Sequence, residues 1–79
     1  MKATVLIRPK EGILDPQGEA VVGSLRKLGF AVTGARVGRL VDVELDADSA
    51  EQAREELDRM ARDLLANPLI ESFTIELGA

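Results

Sequence analysis

The stretch Arg8-Pro9-Lys10-Glu11-Gly12-Ile13-Leu14-Asp15-Pro16-Gln17-Gly18-Glu19-Ala20 joins the end of one apolar run, Val5-Leu6-Ile7, to the start of an amphipathic one. Pro9 has no N–H to give to a ladder, so it stops or edges the strand before it. Gly12 permits a positive φ in the connection. Asp15 is placed to cap a helix whose first residue is Pro16, where φ is already helical and the missing N–H costs nothing. Taken locally, the stretch is a tight strand-to-helix connection.

Working outward, Ala3 to Arg8 reads as a strand with Val5 and Ile7 on one face and Thr4, Leu6 and Arg8 on the other. Apolar residues on both faces suggest a central strand. A helix follows over Pro16 to Leu28, its stripe made by Val21, Val22, Leu25 and Leu28. Arg26 and Lys27 suit its last turn and Gly29 its C′ position. Phe30 to Val37 reads as a second strand, with a bulge or close backbone approach expected at Gly34. Gly38-Arg39 is a turn candidate, and Leu40 to Leu45 alternates cleanly as a third strand. The short spacing makes strands two and three a hairpin. Asp48 or Ser49 caps a second helix over Ser49 to Leu65. Its stripe is Ala50, Ala53, Leu57, Met60, Ala61 and Leu64, with i, i+4 pairs Glu55–Arg59 and Asp58–Arg62. Asn67-Pro68 ends it, and residues 70 to 77 form a last strand with Phe73, Ile75 and Leu77 inward.

The order strand, helix, strand, strand, helix, strand is that of an α+β, ferredoxin-like βαββαβ fold. It predicts a four-stranded antiparallel sheet with strands one and three central and both helices on one face. The 79 residues make a single domain, residues 1–79. At this length one core rarely supplies more than about 3–5 kcal/mol. With no cysteine to form a disulfide or a thiolate metal site, oligomerisation is the remaining remedy. The surface expected to serve is the uncovered sheet face and the second strand's edge: Leu6, Arg8, Thr33, Gly34, Ala35 and Leu40.

The composition excludes several functions. There is no histidine and no cysteine, so the usual base, nucleophile and soft metal ligands are missing. No catalytic, cofactor-binding or metal-binding residue is assigned. Asp42, Glu44, Asp46 and Asp48 could hold a hard cation, but such carboxylates more often keep a strand soluble. Arg8, Lys10, Arg36 and Arg39 could meet an anion near one end of the sheet, but no glycine-rich cradle followed by a lysine accompanies them. A formal charge of −4 argues against a nucleic-acid partner, and strands one and three lack the aromatics on which RNA bases stack. No apolar run approaches the ~20 residues that span a bilayer, and the expected location is cytoplasmic.

Several motifs together carry a resemblance. Pro9-Lys10, Gly12, Leu14-Asp15-Pro16 and Gly18 resemble the signature of the PurS family. Leu28-Gly29-Phe30, Arg36-Val37-Gly38-Arg39 and Leu65-Ala66-Asn67-Pro68-Leu69-Ile70-Glu71 follow in the same order. That family is the small, non-catalytic subunit of phosphoribosylformylglycinamidine synthase. The resemblance implies two larger partners, a synthetase (PurL-type) subunit that binds ATP and Mg²⁺ and a glutaminase (PurQ-type) subunit. It also implies self-association as a dimer or tetramer, no cofactor on this chain, and a role in joining the partners and passing ammonia between them. The alternative is an ACT-like regulatory domain that binds a small ligand in a glycine-rich strand–helix loop; Gly12 and Gly18 are the residues that would serve it.

Overall fold

The structure, a computed structural model, describes residues 1–78. The elements run β1 (Lys2–Pro9), α1 (Pro16–Lys27), β2 (Arg39–Glu44), α2 (Ala50–Met60), a π-helical turn (Ala61–Leu65) and β3 (Glu71–Leu77). The fold is α+β. The sheet has three antiparallel strands in the order β2-β1-β3.

β1 is the central strand, as its two-sided apolar pattern requires. Its register places Val5 opposite both Val41 and Ile75. Ala3, Val5 and Ile7 point to the inner face and are buried, with Val41, Val43, Leu45, Phe73, Ile75 and Leu77 beside them. α2 lays Ala53, Leu57 and Ala61 on that face. Val5, Ile7 and Leu57 are its largest fully buried side chains, each worth about 1.5–3 kcal/mol in transfer free energy.

Of the two caps expected for α2, Asp48 and Ser49, the structure uses the second. Ser49 is the cap and accepts from the Gln52 N–H at 3.1 Å, while the Gln52 side chain accepts from the Asp48 N–H at 2.9 Å. Of the two i, i+4 pairs, Asp58–Arg62 closes at 2.7 Å and Glu55–Arg59 does not. The last turn widens: the Ala66 N–H donates to the Ala61 carbonyl at 2.8 Å, an i→i+5 bond. That shifts the stripe by one residue. Leu64, expected inside, is 84% exposed, and Leu65 and Ala66 pack against the core instead.

Two expectations fail in the first half of the chain. Residues 30–37 do not form a strand of the sheet, so the four-stranded sheet is absent among the described residues, and the strand at residues 39–44 is an edge rather than a central one. The reason lies at Gly38-Arg39, which is not a hairpin turn. Arg39 is already paired with Ile7, and Gly38 lies against the Ile7 carbonyl with no room for a Cβ. The chain therefore enters β2 from beyond the end of the sheet. Likewise, α1 does not join α2 on the sheet. Only Gly18 of α1 is buried, and α1 makes no extended contact with any strand. The result is an elongated shape, 50 × 27 × 14 Å.

A candidate assembly surface

α1 and residues 30–37 form an arm. Asp15 caps the helix by accepting from the Gly18 N–H at 3.1 Å, and its other oxygen accepts from the Val37 N–H at 2.8 Å. Residues 30–37 therefore return along α1 in the opposite direction. The Phe30 N–H donates to the Leu25 carbonyl at 3.1 Å, and Arg26 Nε donates to the Val32 carbonyl at 2.8 Å. Gly18 faces the Ala35 carbonyl so closely that a Cβ would collide with it. Gly34 touches nothing that a Cβ would meet, so the bulge or close approach expected there is not found.

Asp15 is buried, and the Val37 and Gly18 N–H groups, aided by Arg36, hold its carboxyl below the ordinary aspartate value. Arg36 donates to the Lys10 carbonyl at 2.9 Å and ties the arm's last residues to the loop after β1. The signature residues Pro9, Lys10, Gly12, Leu14, Asp15, Pro16 and Gly18 lie at the arm's root, where Lys10, Asp15 and Gly18 make its contacts. Gly12 has φ +83°, as its place in the loop requires. Leu14 is 70% exposed.

The six predicted interface residues fall into two grooves. Leu6, Arg8 and Leu40 line an open groove of about 370 Å³ on the outer sheet face, with Arg36, Gly38 and Arg39. Thr33, Gly34 and Ala35 line another of about 610 Å³ on the arm, with Glu19, Val22 and Arg36. Arg36 is common to both.

Of the four basic residues considered for an anion, Arg39 is committed within the chain. It makes a two-pronged contact with Glu71, at 2.6 and 3.0 Å, and also donates to the Leu65 carbonyl. The paired Arg39 and the Asn67 N–H hold the Glu71 carboxyl below its ordinary value. The carboxylates weighed for a cation are also engaged in part: Asp42 accepts from Thr4 at 2.7 Å, and Glu44 pairs with Lys2 at 3.7 Å. Among the described residues no group of three acidic side chains is placed to hold a metal ion, and no helix is long and apolar enough to cross a membrane. Of the two glycines that would serve an ACT-like ligand site, Gly12 lies in the loop with open space around it, and Gly18 lies inside α1 against the Ala35 carbonyl and the Asp15 carboxylate.

Sequence reasoning missed a third groove, of about 560 Å³, beside α2. Val43, Met60, Leu64 and Leu65 line it with Glu56, Arg59 and Asp63. The Leu64-Leu65 doublet before Asn67-Pro68 was its only signal.

The family model described as PurS, phosphoribosylformylglycinamidine (FGAM) synthase, matches residues 2–79. The chain belongs to the PurS family. The phosphoribosylformylglycinamidine synthase subunit PurS of Archaeoglobus fulgidus is 41% identical over 76 residues, which is 95% of each chain. The PurS structure from Thermus thermophilus is 40% identical with a TM-score of 0.82, covering 99% of this chain and 96% of that one. A chain in the PurLQS structure from Thermotoga maritima is 28% identical with a TM-score of 0.88, over 95% of this chain and 93% of that one. PurS-family chains are non-catalytic accessory subunits of the synthase. The arm is therefore part of a shared shape, because the match extends over nearly the whole chain.

Proposed function

We propose that this protein joins a PurL-type synthetase subunit to a PurQ-type glutaminase subunit in the cytoplasm and assists ammonia transfer between them. ATP and Mg²⁺ would be held by the synthetase. The observation that carries the reading is the match in fold and sequence over nearly the whole chain to PurS proteins, one of them a chain of a PurLQS structure. The exposed apolar residues support it: Leu14, Leu28, Phe30, Leu40, Leu64 and Leu69 are each more than half exposed. These side chains are available for contact with other proteins. One of those is a second copy, with Leu6, Arg8, Thr33, Gly34, Ala35 and Leu40 at or near the contacts.

The test is reconstitution from purified subunits. Mixing the synthetase and glutaminase of the same organism with this chain should give one species by sedimentation velocity, with this chain in it. Co-sedimentation of the two larger subunits unchanged by the chain, with the chain left free, would contradict the proposal.

A further inference from the structure

The outer face of the sheet divides by charge. At one end lies the open groove of about 370 Å³ lined by Leu6, Arg8, Arg36, Arg39 and Leu40. No carboxylate lines it, although the chain as a whole has a formal charge of −4. The grooves on the arm and beside α2 differ, since Glu19 lines the first and Glu56 and Asp63 line the second. At the other end of the outer face, Asp42 and Glu44 line a further groove with Lys2 and Thr4.

Two arginines of the basic end keep donors free. The ion pairs among the described residues are Lys2–Glu44, Arg39–Glu71 and Asp58–Arg62, so neither Arg8 nor Arg36 belongs to one. Arg39 is already held by Glu71 and the Leu65 carbonyl. Arg36 gives only Nη2, to the Lys10 carbonyl at 2.9 Å, which steadies its guanidinium beside the groove. Asp15, whose charge Arg36 feels, has both oxygens engaged by the Gly18 and Val37 N–H groups. Between the two guanidiniums the floor is apolar: Leu6 and Leu40 face each other in the β1–β2 register, and Leu40 is 56% exposed.

That combination selects an occupant. A guanidinium fork matches a carboxylate with two parallel hydrogen bonds, and the leucine floor asks for an apolar neighbour beside it. A small-molecule site encloses most of its ligand, whereas this groove is open and suits an extended protein segment. The outer face of a second copy is a poor source of the carboxylates, because Asp42 and Glu44 are already held by Thr4 and Lys2.

We infer that this groove receives a segment of one of the two larger subunits in which a carboxylate stands beside an apolar side chain. The carboxylate meets Arg8 and Arg36, and the apolar side chain lies on Leu6 and Leu40. The inference rests on the assembly role proposed above and assigns three of its contact residues, Leu6, Arg8 and Leu40, to a larger subunit. Opposite charges placed this way steer the encounter and fix the register of docking.

The test measures binding of the labelled chain to the purified synthetase and glutaminase subunits, separately and mixed, by fluorescence anisotropy at low and high salt. Arg8→Glu should weaken binding to one of them roughly tenfold at low salt, and the deficit should shrink as salt screens the pair. Leu40→Ala should weaken binding to the same subunit by roughly threefold at every salt concentration. Arg54→Glu makes the same charge change on the exposed side of α2, and should leave both affinities within about twofold. Both Arg8 and Leu40 are exposed, so the urea midpoints of their variants should match that of the parent. An Arg8→Glu deficit no larger than that of Arg54→Glu, or one that salt does not change, overturns the inference. Loss of self-association in Arg8→Glu with both affinities unchanged would give the groove to a second copy and also overturn it. If the unsubstituted chain binds neither subunit, alone or mixed, the assembly role falls as well.

Discussion

The Asp15 carboxylate accepts from the Val37 N–H at 2.8 Å, a contact that spans 22 residues of sequence. It closes the arm at its root, because the same carboxylate caps α1 through the Gly18 N–H. One side chain therefore fixes both the start of the helix and the end of the segment that returns beside it. Asp15→Ala removes both acceptors at once. The expected result is faster amide exchange at Val37 and Gly18 and a lower urea midpoint, with the β1–β3 ladder around Val5 and Ile75 less affected. Unchanged exchange at Val37 would show that the arm holds without Asp15.

Acid should loosen the protein through two carboxylates. Hydrogen bonds from Val37 and Gly18 depress Asp15 from its ordinary value of 3.8, and Arg39 depresses Glu71 from 4.5. The unfolded chain then binds more protons than the folded one in the acid range, so stability rises with pH there. The stabilisation is fully present above about 4.5 and is lost as pH falls through the depressed folded values. Glu71→Gln should flatten this part of the curve, measured as the urea midpoint between pH 2.5 and 6. A slope identical to that of the parent would remove Glu71 from the account.

The two helix glycines should respond in opposite ways. A Cβ at Gly23 meets open space, so Gly23→Ala should stabilise by about 0.5–1 kcal/mol through helix propensity and a less free unfolded chain. At Gly18 a Cβ would run into the Ala35 carbonyl and the Asp15 carboxylate. Gly18→Ala should therefore destabilise despite the better propensity. Equal effects of the two substitutions, in urea denaturation, would mean that the arm does not pack as described.

The core is thin enough for one truncation to be decisive. Leu57 is wholly buried between α2 and the sheet, and Leu57→Ala should cost about 2–5 kcal/mol. That approaches the whole stability of a chain of this size. Thermal unfolding read by far-ultraviolet circular dichroism checks it, and a loss below 1 kcal/mol would show that the site collapses to fill the space.

Elements whose signals are local were legible in the sequence. Asp15-Pro16 and Ser49 mark helix starts by their own chemistry, and the alternation in residues 41–45 and 73–77 reports one buried face. The segment 30–37 reads as a strand from its residue types, but residue types do not say which edge a stretch pairs with, and here it returns beside α1 instead. Residue patterns also carry no information on whether Gly38-Arg39 bends back or runs on, since glycine permits both. Leu64 was placed inside because a period of 3.6 residues was extended through a turn that widens to an i→i+5 bond. The Arg39–Glu71 pair, 32 residues apart in sequence, becomes visible only when the strand register is known. The expected contact residues are divided between the arm and the outer sheet face, a separation that follows from the arm's leaving the body.

The central claim is that this small chain lets a glutaminase subunit feed a synthetase subunit. The most direct measurement is formation of formylglycinamidine ribonucleotide from formylglycinamide ribonucleotide and ATP by the purified larger subunits, with either glutamine or free ammonia as nitrogen source. Adding this chain should raise the glutamine-dependent rate at least tenfold and leave the ammonia-dependent rate of the synthetase within about twofold. A glutamine-dependent rate that is the same with and without the chain would contradict the account.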